Sequence, residues 1–192
     1  MEQSTFKFHV QNISFGWCRV LMLINDKEVW YNASYLGGNP LETMIDACAD
    51  LMEEEGHYYI SWQREPGTLK IDLNLVDDML QIDIFDEKVY YNEEMKEEKN
   101  VEEKVHEVVP FKDFVSAIRA EGFRVLNAFG LYGYRQSWMN DTDFPLTNLL
   151  RITGKCDEIW KGDSCCTNIS KEIEVLQECL SKLEITEETK MD

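Results

Sequence analysis

The sequence predicts an α+β fold, in which a mainly antiparallel sheet of six or seven strands carries helices packed on one face. Apolar and polar residues alternate through most of residues 5–109, which is the pattern of strands with one buried face. Beyond this region apolar residues recur every three or four positions, as in amphipathic helices. A chain of 192 residues is long enough for one core. We therefore expect a single domain over 1–192 that is sheet-rich over 5–109, helical over 110–185 and disordered at 186–192.

Strands are predicted wherever this alternation coincides with β-branched and aromatic residues. Turn residues separate the strands: the segment 25–27 suits a hairpin, and the glycine pair 37–38 ends the third strand. A further short strand is expected at 105–110, before the helical half begins. The six main predicted strands cover residues 6–10, 17–24, 28–36, 58–62, 69–75 and 80–84.

The clearest predicted helix runs from Pro40 to about Glu55. Asn39 precedes it as the N-cap, Pro40 takes the first helical position, and Gly56 ends it. Its apolar residues fall at helical spacing, so one face is expected to be buried. These apolar residues are Leu41, Met44, Ile45, Cys48, Leu51 and Met52.

Further helices are predicted in the second half, over 111–129 with an interruption at Gly122, and from Phe144 onward. A last helix over 168–185 carries apolar residues at spacings of four, three, four and three. This seam spans two heptads, which favours docking on the body of the protein over a coiled coil. Homodimerisation through residues 169–183 stays open as an alternative.

Charge is the most informative feature of the composition, because 37 Asp and Glu residues face 19 Lys and Arg and give a net charge of −18. Such a field repels phosphates and attracts basic partners. Residues 92–107 hold seven Glu and three Lys, and they predict a solvated acidic loop. We expect a basic protein to bind this loop and the exposed face of the first helix. The predicted partner-binding residues are Asp46, Asp50, Glu93, Glu94, Glu97 and Glu98.

Motifs for catalysis, metal binding and phosphate binding are missing from the sequence. Four of the six cysteines lie between Cys156 and Cys179, yet no Cys-x-x-Cys occurs and the three histidines lie far away in sequence. No Gly-x-Ser-x-Gly, His-Glu-x-x-His or phosphate-binding loop is present either. We therefore predict no metal, no cofactor and no catalytic residue, and leave open whether the adjacent Cys165 and Cys166 have a redox role.

Membranes and nucleic acid are two classes of partner that the sequence argues against. No window approaches the roughly 18 apolar residues of a membrane span, and the first residues carry acid where a signal peptide carries base. We therefore expect a cytoplasmic protein. Nucleic acid is disfavoured as a partner because the aromatic residues are not interleaved with Lys and Arg. We therefore expect these aromatic residues to pack in the core. These aromatic residues are Trp17, Trp30, Tyr31, Tyr35, Trp62 and Trp138.

Three segments together resemble a group of small bacterial cytosolic proteins of uncharacterised function, over about residues 15–152. They are Asn32-Ala-Ser-Tyr-Leu36, Trp62-Gln-Arg-Glu-Pro-Gly67, and Gly130-Leu-Tyr-Gly-Tyr134 followed by Trp138 and Phe144-Pro-Leu146. The resemblance implies a bacterial source and brings no activity with it.

The favoured function is non-enzymatic protein binding, and its sharpest form is an immunity-type inhibitor that covers the basic active site of a bacterial toxin. The main alternative is a small-ligand-binding domain or enzyme with a pocket between sheet and helices, lined by Trp62, Glu65 and Trp138. A structural homodimer is the third hypothesis.

Overall fold

The computed structural model of the chain describes residues 5–91, 97–138, 142–159 and 167–188. Within these ranges, seven strands form two antiparallel sheets, one of three strands and one of four. Helices complete the fold, so the α+β class is confirmed. The finer prediction of one sheet with helices on one face is not confirmed, because the strands divide into two groups.

The first sheet is a meander of three strands in the order β1-β2-β3. Tight turns join its strands, at Phe15-Gly16 and at Asn25-Asp26, where Asn25 has a φ of 54°. One face of the sheet is buried, and Val10, Val20 and Tyr31 form one row across it. The strands are β1 (Phe6–Ser14), β2 (Trp17–Ile24) and β3 (Lys27–Ser34).

A helix separates the two sheets in sequence. After β3, a short 3₁₀ turn (Tyr35–Gly37) leads into α1 (Pro40–Leu51), which lies along the first strand of the second sheet. The side chain of Asn39 accepts hydrogen bonds from the backbone N–H groups of Leu41 and Glu42, as an N-cap should. The helix ends at Leu51, somewhat earlier than predicted.

The second sheet has the order β4-β5-β6-β7, and its last two strands are the longest. They continue past the end of β5 as a two-stranded ribbon, beyond the pairing of Thr68 with Glu87. The strands are β4 (His57–Gln63), β5 (Thr68–Val76), β6 (Met79–Tyr91) and β7 (Glu97–Pro110).

Strand β7 corrects the acidic loop predicted over 92–107. Residues 97–107 pair with β6 throughout, apart from a bulge where Ile84 and Phe85 pair with Val105 and Glu103. Lysines on neighbouring strands offset the glutamates: the ammonium of Lys88 lies 3.6 Å from Glu102, and that of Lys99 lies 3.2 Å from Glu87. Such cross-strand pairs favour a ribbon over a loop.

The helical half begins with α2 (Phe111–Ser137), which contacts β1, β6 and β7. The predicted interruption at Gly122 is wrong, because the helix continues through it and is non-helical only at Gly130, where φ is 62°. Gly122 instead allows a close helix contact, since a Cβ there would lie 2.7 Å from the side chain of Leu149. The remaining helices are α3 (Leu146–Arg151), α4 (Cys156–Ile159) and α5 (Ile169–Glu188).

Helix α5 docks on the body of the protein as predicted, although only part of the predicted seam, Leu176 and Leu180, packs against the core. It contacts α2, α3 and α4, and Val175 is buried. Ile169 and Ile173 at its start remain exposed.

The core lies between the inner faces of the two sheets and the helices α1 and α2. Phe6 and Phe114 join β1 to α2, with ring centres 4.7 Å apart, and Trp62 and Tyr134 are fully buried. None of the helices in the described ranges combines the length and the apolarity that crossing a bilayer requires.

Candidate functional site

The candidate site is the outer face of the first sheet, and the alternation of its strands defines it. In β2 the residues Cys18, Val20, Met22 and Ile24 point into the core, so Trp17 and Arg19 lie on the opposite face. Strand β3 buries its own alternate residues, and Trp30 and Asn32 therefore share the outer face with Arg19. We call this surface the tryptophan face and define it by Trp17, Arg19, Trp30 and Asn32.

Arg19 and Trp30 form the centre of the tryptophan face. The guanidinium carbon of Arg19 lies 4.1 Å from the centre of the Trp30 ring, which is a cation–π contact. Trp17 is 37% exposed and Trp30 41%, so each presents a large apolar surface to solvent. A shallow cavity of about 240 Å³ lies between Asn12, Trp17, Arg19 and Asn32.

The prediction that the tryptophans pack in the core is therefore wrong for Trp17 and Trp30. The signal that could have separated them is the phase of the alternation in β2. Arg19 is charged and is expected to face solvent. Residues two apart in a strand share a face, so Trp17 is expected to face solvent too.

One more exposed apolar residue lies two positions before Trp17. Phe15, in the turn between β1 and β2, is 82% exposed. The backbone N–H of Gly16 donates to the carbonyl of Ser137 over 3.0 Å, which holds this turn against the end of α2. Large exposed apolar groups are typical of interaction surfaces.

The thiol under the tryptophan face has no nucleophilic character. Cys18 lies within β2 and is buried, and this burial raises its pKa to about 12. It remains protonated at neutral pH, whereas the thiolate is the reactive form. Among the described residues, no three His, Cys, Asp or Glu side chains are grouped so that they could hold a metal ion.

The predicted acidic residues of α1 contact a neighbouring helix. Asp46 is half-buried and accepts a hydrogen bond of 2.7 Å from the side-chain amide of Asn148 in α3. Asp50 is exposed and lies 3.9 Å from a guanidinium nitrogen of Arg151. Part of the charge on this helix face is thus engaged within the protein.

Two of the other predicted acidic residues, Glu97 and Glu98, lie on the β6–β7 ribbon, at the far end of the second sheet. Helix α1 ends beside the start of β4, whereas the ribbon extends from the end where Gln63 and Thr68 pair, about 20 Å along the strand. Glu98 is exposed there, and β7 begins at Glu97. Glu93 and Glu94 lie outside the described residues. Among the described residues, the structure therefore places Glu98 far from Asp46 and Asp50.

The residues predicted to line a pocket are divided between core and surface. Trp62 is fully buried, and its ring nitrogen donates to the hydroxyl of Thr43 over 2.9 Å. Trp138 is buried beside Tyr134, with ring centres 6.2 Å apart. Glu65 is exposed in the turn between β4 and β5. Cys165 and Cys166 lie outside the described residues.

Residues in or next to the three segments that carry the resemblance meet near the N-terminus of α1. The side-chain amide of Asn39 donates to the hydroxyl of Tyr134, and the hydroxyl of Tyr31 donates to the carbonyl of Trp62 over 2.9 Å. Gly37 lies so close to Gln63 that a Cβ there would clash with its backbone nitrogen.

Comparison of the chain with protein-family models, with curated proteins and with solved structures finds no match.

Proposed function

We propose that this chain is a non-enzymatic protein-binding protein, and that a partner docks on the tryptophan face. The observation that carries the proposal is the exposed stack of Arg19 on Trp30, with Trp17 on the same face. Trp, Tyr and Arg are the residues that contribute most to binding energy at protein interfaces. Arg19 also has no carboxylate partner among the described residues, so its charge is available to a partner.

The charge of the whole chain favours a basic partner. A net charge of −18 produces a long-range field that accelerates encounter with a protein of opposite charge. The field and the tryptophan face have different roles in this proposal. The field sets the association rate and its dependence on salt. The aromatic contacts, which become buried in the complex, set the dissociation rate.

An immunity-type inhibitor of a basic bacterial toxin is the sharper form of the same proposal. Such a protein has to cover an active site tightly and needs no chemistry of its own. Acidity and an exposed aromatic surface are both consistent with that role. A basic nuclease or a similarly charged toxin is the partner that this form predicts.

The test compares proteins retained by the wild-type chain with those retained by the double variant Trp17→Ala/Trp30→Ala. The control is Tyr59→Ala, because Tyr59 is 73% exposed on the other sheet. A protein retained by the wild type and the control but lost by the double variant is then purified and titrated by calorimetry. We expect weakening of roughly 30-fold or more, as for the loss of about 2 kcal/mol at a hot spot.

Two results would contradict the proposal. One is a partner that binds the double variant as tightly as the wild type, because the tryptophan face would then be unused. The other is the absence of any retained protein at low and at high salt. Circular dichroism and thermal unfolding of each variant confirm that loss of binding is not loss of folding. A basic partner whose association rate falls steeply with salt would support the inhibitor form.

A further inference from the structure

A groove separate from the tryptophan face lies where four parts of the chain meet. It has a volume of about 780 Å³, which is in the range of small-molecule sites. The start of α2 forms one wall, the β5–β6 turn and the residue after α1 form the rim, and the segment after α3 closes it. The apolar part of its lining consists of Met52, Met79, Pro110, Phe111, Val115 and Ile152.

The frame of the groove is fixed by backbone hydrogen bonds, whereas two of its side chains can adapt. The N–H of Phe111 donates to the carbonyl of Asp78 over 2.9 Å and ties the β5–β6 turn to α2. The N–H of Thr153 donates to the carbonyl of Leu150 over 3.1 Å and orders the opposite wall. Met52 is 44% exposed and Met79 42%, and flexible thioether side chains fit apolar ligands of varied shape.

Two positive charges line this groove although the chain is strongly acidic. Lys112 and Arg119 lie on one face of α2, seven residues or about 10 Å apart, with the hydroxyl of Ser116 between them. The only acidic group in the described lining is Asp78, so the lining carries one net positive charge.

The absence of carboxylate partners makes these two cations unusual among the described residues. With 37 acidic residues in the chain, most of the described Lys and Arg side chains lie beside a carboxylate. Within the described ranges, only Lys7, Arg19, Lys112 and Arg119 have no such partner. Two of the four thus line one groove, whose apolar lining also accepts a hydrocarbon body.

We propose that this groove binds a small amphipathic anion, with an alkyl or acyl body on the apolar lining and a carboxylate or phosphate head group between Lys112 and Arg119. The side chains of Lys112 and Arg119 are long enough to converge on one head group above Ser116. A hydrogen bond between charged partners is short and strong, and a phosphate offers several acceptor oxygens. The negative field of the whole chain opposes the approach of an anion, so recognition comes from these two cations at short range.

The experiment titrates the intact chain by calorimetry with decanoate and with decyl phosphate, each below the concentration at which it forms micelles. Decanol serves as the uncharged probe. We expect both anions to bind with one-to-one stoichiometry and decanol to bind about tenfold or more weakly. The stronger of the two anions identifies the head group that the site prefers.

A matched pair of double variants separates local recognition from net charge. Lys112→Gln/Arg119→Gln removes the two cations of the groove, and Lys7→Gln/Lys27→Gln removes the same charge from the first sheet. We expect the first variant to bind the anions about tenfold or more weakly and the second to bind as the wild type does. Equal weakening by both variants would overturn the proposal, as would no binding of either anion to the wild type.

Methionine labelling supplies a readout at the site itself. The chain has eight methionines, and carbon-13 labelling of their methyl groups gives one signal for each. We expect the signals of Met52 and Met79, assigned with Met52→Leu and Met79→Leu, to shift on addition of decanoate. Shifts confined to other methionines would contradict the proposal. Sedimentation with phosphatidylglycerol vesicles but no binding of the free anions would also contradict it, since it would indicate a bilayer rather than a single amphiphile.

Discussion

The backbone N–H of Val10 donates to Oε1 of Glu121 over 2.6 Å, and this bond joins the free edge of the first sheet to the middle of α2. Glu121 is only 2% exposed, and Arg124 compensates its charge through two hydrogen bonds of 2.6 and 2.7 Å. Arg124 also donates to the carbonyl of Val10 over 2.8 Å. Both polar backbone groups of one edge residue are thus satisfied by side chains from a helix, and this edge is closed to another strand.

Replacement of Glu121 by alanine is expected to lower the free energy of unfolding by about 3 kcal/mol. The variant leaves the N–H of Val10 without its acceptor and Arg124 without its counter-charge. Chemical denaturation measures the change. Glu174→Ala is the control, because Glu174 is an exposed helical residue and its loss should change the stability by less than about 0.5 kcal/mol. Similar values for the two variants would show that the contact with Val10 contributes nothing.

Asn39 and Tyr134 are expected to be energetically coupled. Asn39 caps α1 through its side-chain oxygen and donates to the Tyr134 hydroxyl through its side-chain nitrogen. Asn39→Ala should cost about 2 kcal/mol and Tyr134→Phe about 1 kcal/mol. The double variant should cost less than the sum, because each single change already breaks the shared bond. Strict additivity in a double-mutant cycle would rule out the coupling.

Gly122→Ala and Gly133→Ala, both within α2, are expected to have opposite effects. A Cβ at Gly122 would meet the buried side chain of Leu149 at 2.7 Å and that of Ile45 at 3.4 Å, so the variant should lose about 1–3 kcal/mol of stability. A Cβ at Gly133 meets nothing within 4 Å among the described residues, and the variant should gain about 0.5–1 kcal/mol. Thermal unfolding distinguishes the two. A stabilised Gly122→Ala would show that α2 and α3 do not pack this closely.

His106 is expected to titrate above its ordinary value because of Asp83. The two residues pair across β6 and β7, and the hydrogen bond to the Asp83 carboxylate raises the pKa of His106. The protonated form is therefore favoured by folding, and the stabilisation is present at low pH and is lost as pH rises through the folded pKa. A proton NMR titration should show the pKa of His106 falling in Asp83→Asn. An unchanged midpoint in that variant would contradict this assignment.

Elements defined by local signals could be predicted from the sequence, and their assembly could not. Helix α1 begins at the predicted residue because Asn39 and Pro40 determine its start through their own backbone and side-chain chemistry. The division into two sheets depends on whether β3 pairs with β4, and alternation does not encode that choice. Sequence alone predicts a helix break at Gly122. The side chain that requires a glycine there, that of Leu149, is distant in sequence.

The candidate site was missed for a related reason. Residue type predicts that the aromatic side chains lie in the core, whereas their exposure depends on which face of a strand they occupy. Arg19 fixes that face in β2, and the register of β2 with β3 then brings Trp30 beside it. The groove could not be predicted at all, since Met52, Met79, Arg119 and Ile152 come from separate elements.

The acidic residues of the β6–β7 ribbon also affect how copies of the chain interact with one another. Strand β7 lies at an edge of its sheet, and an edge strand is a template on which another copy of the chain can pair. Its outer part, residues 97–104, carries four glutamates and two lysines, and Glu98, Glu102 and Glu103 are all exposed. Two such edges brought together would carry net charge of the same sign. This charge therefore opposes strand pairing between two copies of the chain.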